Sequence, residues 1–222
     1  MKERPILFSG PMVLAILEGR KTQTRRAIKQ FPTEGYRWGG WIVEGAKRSD
    51  AGKATVVPES NWKYCATGSI KARCPYGQPG DRLWVRETHI AHEVGHVQYA
   101  ADYQDHSKDK EYGVQWTPSI HMLRWACRLV LEVVSVRAER LNDISEEDAK
   151  AEGSYLGRCP CLPRERDKSA IEKLFQQTRC HIHGDEFREL WDSINLARGY
   201  GWDVNPWVWV VEFKRIEGAT HG

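Results

Sequence analysis

Glu18-Gly19-Arg20-Lys21-Thr22-Gln23-Thr24-Arg25-Arg26 is a dense cluster of basic and hydroxyl side chains set directly behind a short apolar stretch. Val13, Ile16 and Leu17 follow Pro11 at helical spacing, and Gly19 is the residue type that ends a helix by entering the left-handed region. The spacing therefore predicts a helix that stops at Gly19 and a chain that turns there. Beyond the turn, Lys21, Gln23 and Arg25 alternate with Thr22, Thr24 and Arg26, so an extended segment carries two different polar faces. Unpaired charges cost several kcal/mol when taken out of water. Such a segment is not expected as ordinary core; it suits an anionic or polar ligand, the alternative being a solvated basic edge strand.

Working outward, Pro5 to Arg26 reads as strand, helix and strand. Arg82 to Glu87 follows the turn signal Pro79-Gly80-Asp81, and its Leu83 and Val85 alternate with polar or aromatic neighbours as a half-buried strand should. Cys127 to Arg137, rich in Val and Leu, is the clearest long strand. Ser145 is placed to cap a short helix, with Asp148 three positions later and Gly153 as its stop, which puts Glu152 at the carboxy-terminal end. Glu186 to Asn195 is a second amphipathic helix with Phe187, Leu190, Trp191 and Ile194 on one face. Trp207 to Ile216 is a terminal strand on which Trp207, Trp209, Val211 and Phe213 point one way. Three stretches read as insertions: 30–75, where periodicity is lost; 88–117, with a hairpin around Val97 to Tyr103; and 154–185. Short strands with interspersed helices predict a single α+β domain over residues 1–222, built as a small, partly closed barrel with flanking helices.

With 222 residues the chain is long enough for one good core. Its 33 Lys and Arg are nearly balanced by 30 Asp and Glu, so global charge does not argue for nucleic acid and local clustering has to. The 10 Trp residues are many for this length, and each can either fill the core or stack on a base. There is no apolar run resembling a signal peptide or a membrane span, which points to a cytoplasmic protein with reduced cysteines and no membrane partner.

The opening strand and helix, the Gly-Arg-Lys-Thr-x-Thr-x-Arg turn, the Pro79-Gly80-Asp81-Arg82-Leu83-Trp84-Val85-Arg86-Glu87 segment and the terminal strand together resemble an ASCH domain of the PUA-like superfamily. The chain is similar to the long ASCH proteins of bacteriophages and prophages, some of them labelled morphogenetic proteins. The resemblance extends to small ASCH amidohydrolases that deacetylate N4-acetylcytidine. Lys21 and Thr24 match two of their active residues, and Ile144-Ser145-Glu146-Glu147-Asp148-Ala149-Lys150-Ala151-Glu152 matches the helix that ends in the third, Glu152. It implies Thr24 as nucleophile, Lys21 as its base and Glu152 as an orienting or proton-shuttling group, with no catalytic cofactor. Arg20, Arg25 and Arg26 are the candidate contacts to RNA, DNA or a modified nucleoside, and Trp202, in the Gly-rich loop before the last strand, is a candidate stacking partner. The alternatives are a metal-independent ribonuclease, whose Lys and Arg cluster stabilises a phosphorane-like charge, and a non-enzymatic phage assembly or host-interaction protein. An ordinary Lys21–Glu152 ion pair is the structural alternative for the site itself.

Cys159-Pro160-Cys161 and Cys180-His181-Ile182-His183 offer two pairs of soft ligands separated by 18 residues. Tetrahedral zinc takes four such ligands, and Cys159, Cys161, Cys180 and His183, with His181 as substitute, form a structural candidate set. Cys65 and Cys74 make a weaker half-site. Protein expressed with adequate zinc and never exposed to chelator is expected to carry about one zinc per chain by elemental analysis, and metal-free protein under those conditions rules the set out.

Overall fold

The computed structural model describes residues 1–32, 34–41, 53–58, 70–93, 96–103, 109, 113–153 and 182–216. Ten strands are found among them: β1 (Glu3–Leu7), β2 (Gln23–Ala27), β3 (Tyr36–Trp41), β4 (Ala54–Pro58), β5 (Ile70–Ala72), β6 (Arg82–Arg86), β7 (His89–Glu93), β8 (His96–Tyr99), β9 (Val130–Arg140) and β10 (Trp207–Arg215). Three α-helices accompany them: α1 (Gly10–Leu17), α2 (Glu146–Ala151) and α3 (Ile182–Asn195). The architecture is α+β, dominated by sheet, and no helix among the described residues is long and apolar enough to cross a membrane.

The central sheet has the order β1-β6-β9-β10-β2, with β1 parallel to β6 and the other neighbours antiparallel. Pro5 lies in β1, an edge of the sheet, where a missing N–H removes no central ladder bond. The sheet is open by its hydrogen-bond order. Its two edge strands are nevertheless linked, because Arg26 of β2 donates from Nη2 to the carbonyl of Leu7 in β1 at 2.8 Å.

Alternation on β10 sorts the molecule into two cores. Trp207, Trp209, Val211 and Phe213 face a large cluster with Ile6, Phe8, Leu83, Val85, Leu131 and Val133. Val208 and Val210 face the other way, onto Leu141, Ala149, Phe187 and Trp191 beneath α2 and α3. A strand covered on both faces carries apolar residues at nearly every position, which is the pattern Trp-Val-Trp-Val-Val of β10.

The strand, helix, strand order at the start of the chain is as expected, and Gly19 turns the chain at φ 76°. Ser145 Oγ caps α2 through the Asp148 N–H at 3.1 Å, and Gly153 ends the helix at φ 82°. Elsewhere the boundaries differ. The stretch 30–75, expected to lack periodicity, holds the three-stranded sheet β3-β4-β5, and its Ala54, Val56, Ala72 and Cys74 belong to the large core. These strands are short and separated by long connections, so no window shows enough alternation to reveal them. The hairpin in 88–117 is β7–β8, some residues earlier than Val97 to Tyr103. The long strand starts at Val130 and continues to Arg140, because β10 pairs with it as far as Trp207↔Arg140. Of the stretch 154–185, residues 154–181 lie outside the described residues.

Gly153 also lets two elements meet. A Cβ there would fall 2.9 Å from Lys21 Cβ and 3.1 Å from Ala15 Cβ, whereas one at Gly19 would meet nothing within 4 Å. Gly19→Ala is therefore expected to cost only the left-handed backbone penalty of about 1 kcal/mol, and Gly153→Ala about 2–4 kcal/mol in denaturant unfolding. Equal losses would remove the close-approach argument.

Candidate functional site

The turn after α1 is closed by backbone bonds that bend the chain sharply: Gly19 N–H donates to Ile16, and the N–H groups of Arg20 and Lys21 both donate to Ala15. Lys21 then forms an isolated antiparallel bridge with Glu152, and the Thr22 N–H donates to the Ala151 carbonyl at 2.9 Å. Two helix ends, far apart in sequence, are thus joined through backbone before any side chain is considered.

On that frame Lys21 Nζ donates to the Glu152 carbonyl at 2.7 Å and to Glu152 Oε2 at 2.8 Å. Both side chains are almost fully buried, at 1% and 3% exposure. The other carboxylate oxygen, Oε1, accepts from Arg25 Nη1 at 3.2 Å. Arg25 Nη2 donates to Glu139 Oε1 at 2.6 Å and to Asp148 Oδ2 at 2.8 Å. Arg137 extends the chain of charges, bonding Glu139 and Asp148 at 2.9 Å each and pairing with Glu212. Gln23 ties the same face to α2 by donating to the Asp148 carbonyl at 2.8 Å.

This arrangement corrects the expectation that the Lys21 to Arg26 segment stays out of the core. Lys21, Gln23, Thr24 and Arg25 are all buried. The premise of unpaired charge does not apply, because Glu152, Asp148 and Glu139 meet the cations within the fold, and buried charges persist where they are paired and hydrogen-bonded. Strand alternation divides the segment. Gln23 and Arg25 lie on the α2 side with Val210, whereas Thr24 and Arg26 lie on the large-core side, opposite Val211 and Trp209.

Phe8 connects the two sides. Lys21 Nζ lies 5.8 Å from the centre of its ring and the Arg26 guanidinium 5.4 Å. Both of the described hydrogen bonds from Lys21 Nζ go to Glu152 and none goes to the Thr24 hydroxyl. The structure therefore joins Lys21 to Glu152 directly and sets Thr24 on the adjoining inner face. Arg20 is exposed, pairs with Glu18 and donates to the Gly153 carbonyl at 3.3 Å. Arg25 is committed to three carboxylates and stands 5.9 Å from the Phe187 ring, with no surface left for a phosphate. Trp202 packs edge-on against Phe187 at 6.3 Å, and its backbone N–H donates to Asp192 Oδ1 at 2.7 Å.

Burial pushes the Lys21 ammonium below its ordinary range; Glu152 opposes this, and Arg26 and Arg25 add to it. For Asp148, burial works upward but is outweighed by Arg25 and Arg137, which hold the carboxyl below 3.8. Sequence reasoning noted Asp148 only as a capping position. Its spacing of four from Glu152 on one short helix was the available signal that two carboxylates share a face. Nothing local marked Glu139, Arg137, Glu212 or Phe8.

Among the described residues no group of three or more His, Cys, Asp or Glu is arranged to hold a metal. Cys159, Cys161 and Cys180 lie outside the described residues, as does the side chain of His183. Cys65 is outside them too. Cys74 is buried, and burial pushes its thiol up to about 11.

No family model, curated protein or solved structure matches this chain.

The Asp148 pairing has a defined pH signature. A carboxyl whose folded pKa is depressed contributes stability that is fully present above the unfolded value of 3.8 and is lost as pH falls through the folded value. Asp148→Asn is expected to lower unfolding stability by about 1–3 kcal/mol at neutral pH. The gap from wild type should close below pH 3.8. Denaturant titrations across pH 2–7 check this, and parallel curves would contradict it.

Proposed function

We propose that this chain is an ASCH-type, PUA-like protein that binds nucleic acid or a modified nucleoside and hydrolyses the amide of an N4-acylated cytosine through Lys21, Thr24 and Glu152. The observation that carries the reading is the buried contact between Lys21 Nζ and the Glu152 carboxylate, at 2.8 Å across 131 residues of sequence. It joins two residues that the motif resemblance pairs functionally, and it lies beside the ring of Phe8, which is buried at the margin of the large core.

In this reading the desolvated ammonium passes a proton to Glu152, and the neutral amine takes the Thr24 hydroxyl proton as Oγ attacks the acyl carbon. The carbon–nitrogen bond breaks, and the departing N4 receives a proton from Lys21. Water then cleaves the acyl–Thr24 ester, releasing the carboxylic acid and restoring the hydroxyl. Arg26 lies on the Thr24 face with its guanidinium 5.4 Å from the centre of the Phe8 ring, and among the described residues no carboxylate pairs with it. Arg25 acts from behind, holding Glu152 rather than touching ligand.

The ribonuclease alternative draws less support, since Arg25 is unavailable to a phosphorane-like charge. A binding protein without catalysis draws support from a different feature, the engagement of Lys21 by both the carbonyl and the carboxylate of Glu152.

Purified protein is expected to release acetate from N4-acetylcytidine without added metal. Thr24→Val, which keeps the branched shape of a strand residue, should lower turnover by about a hundredfold or more while circular dichroism and melting stay near wild type. Full activity in Thr24→Val would remove the nucleophile. Folded wild-type protein inactive on all acylated nucleosides tried would leave only the binding half of the reading.

A further inference from the structure

The face of the central sheet turned away from Thr24 is not uniform. Its β10 half is packed beneath α2 and α3 through Val208 and Val210. On the β1–β6 half, Leu83 and Val85 point into the core at 0% exposure, so Arg82, Trp84 and Arg86 point out, each partly exposed. The parallel register sets exposed Pro5 beside Trp84 and Leu7, 43% exposed, beside Arg86.

Among the described residues neither Arg82 nor Arg86 pairs with a carboxylate. Arg86 lies 5.1 Å from the Trp84 ring and donates to the Met122 carbonyl at 3.1 and 2.9 Å, a neutral acceptor that fixes the guanidinium without neutralising it. The register places Glu3 and Glu132 on either side of Arg82, yet Glu3 pairs with Arg124 at 3.0 Å and Glu132 with Lys214 at 3.1 Å. Among the described residues no ion pair engages Arg82.

We propose that Arg82, Trp84 and Arg86 form a binding platform for single-stranded nucleic acid, with a base stacked on Trp84 and phosphates on the two arginines. Arg82 and Arg86 stand four positions apart on β6, with their Cα atoms roughly 13 Å apart along the strand and Trp84 midway between them. Stacking is open to unpaired bases and closed to those inside a duplex, and paired guanidinium groups favour a polyanion over a neutral partner. The platform shares only its ligand class with the function proposed above. A free acylated nucleoside can be hydrolysed without it, and it can bind a strand in a protein with no hydrolase activity.

The test is fluorescence anisotropy with labelled oligo(U) and oligo(dT) of about 12 nucleotides, within the site sizes of such platforms. Trp84→Ala is expected to weaken binding about tenfold, and Trp84→Phe to retain most of the affinity. Arg82→Gln should reduce the salt slope by about 0.7, while Arg188→Gln, the same charge change on α3, leaves it unaltered. Binding of either oligonucleotide with this dependence supports the platform, and a difference between them reports contact with the sugar. Three results would overturn it: no binding at low salt, equal affinity for a blunt duplex of the same length, or equal loss from Arg188→Gln. Should Trp84→Ala fail to fold, Arg82→Gln and Arg82→Glu decide, because Arg82 is a partly exposed surface side chain. Hydrolysis without oligonucleotide binding rejects the platform alone, and Trp84-dependent binding without hydrolysis rejects the amidohydrolase alone.

Discussion

The buried arginine on β2 is the constraint around which this molecule is organised. Arg25 reaches Asp148 on α2, Glu152 at the end of that helix and Glu139 on β9, so one side chain ties a sheet edge to a helix and to a central strand. Ions buried this deeply are rarely a large net source of stability, because the loss of hydration offsets most of the attraction. Their effect is on geometry: every partner must be in place, since a missing one leaves a charge in low dielectric. Lys21 depends on that arrangement, because the carboxylate that holds it is oriented from the other side by Arg25.

Backbone and side chains serve the same end. The turn at Gly19 brings Lys21 alongside the end of α2, Gly153 permits the approach, and the bridge to Glu152 follows. The candidate site is thus built where two helices terminate rather than at a loop tip. Phe8, at the start of the turn into α1, gives it an aromatic wall. Arg26 links the two edge strands of the sheet through a side chain.

The sheet has two unequal faces, and each suits a different contact. The inner face carries the large aromatic core and, at its margin, Thr24 and Arg26. The outer face is covered over β10 and carries arginine and tryptophan on β6, where the aromatic residue rests beside a guanidinium fixed by a backbone carbonyl. A protein with nearly balanced total charge can still concentrate cations locally. Here the carboxylates next to Arg82 in register are drawn to other partners.

Local features of the chain were legible where the chemistry is local. The α1 stop at Gly19, the Ser145 cap, the Gly153 stop and the alternation of Trp207, Trp209, Val211 and Phe213 each depend on residues a few positions apart, so periodicity and capping rules reach them. The basic run after Gly19 was also conspicuous, but its environment was not. Whether Arg25 meets solvent, a ligand or a carboxylate depends on Glu139, Asp148 and Glu152, more than a hundred residues away, and no spacing rule connects them. The strands β3, β4 and β5 escaped for a related reason: each is short, and its burial comes from the core it joins rather than from its own pattern. Sequence by itself determined where the chain turns and which residues are polar or apolar. Tertiary structure alone decided which charges are buried together, because desolvation and pairing are set by what surrounds a side chain in space.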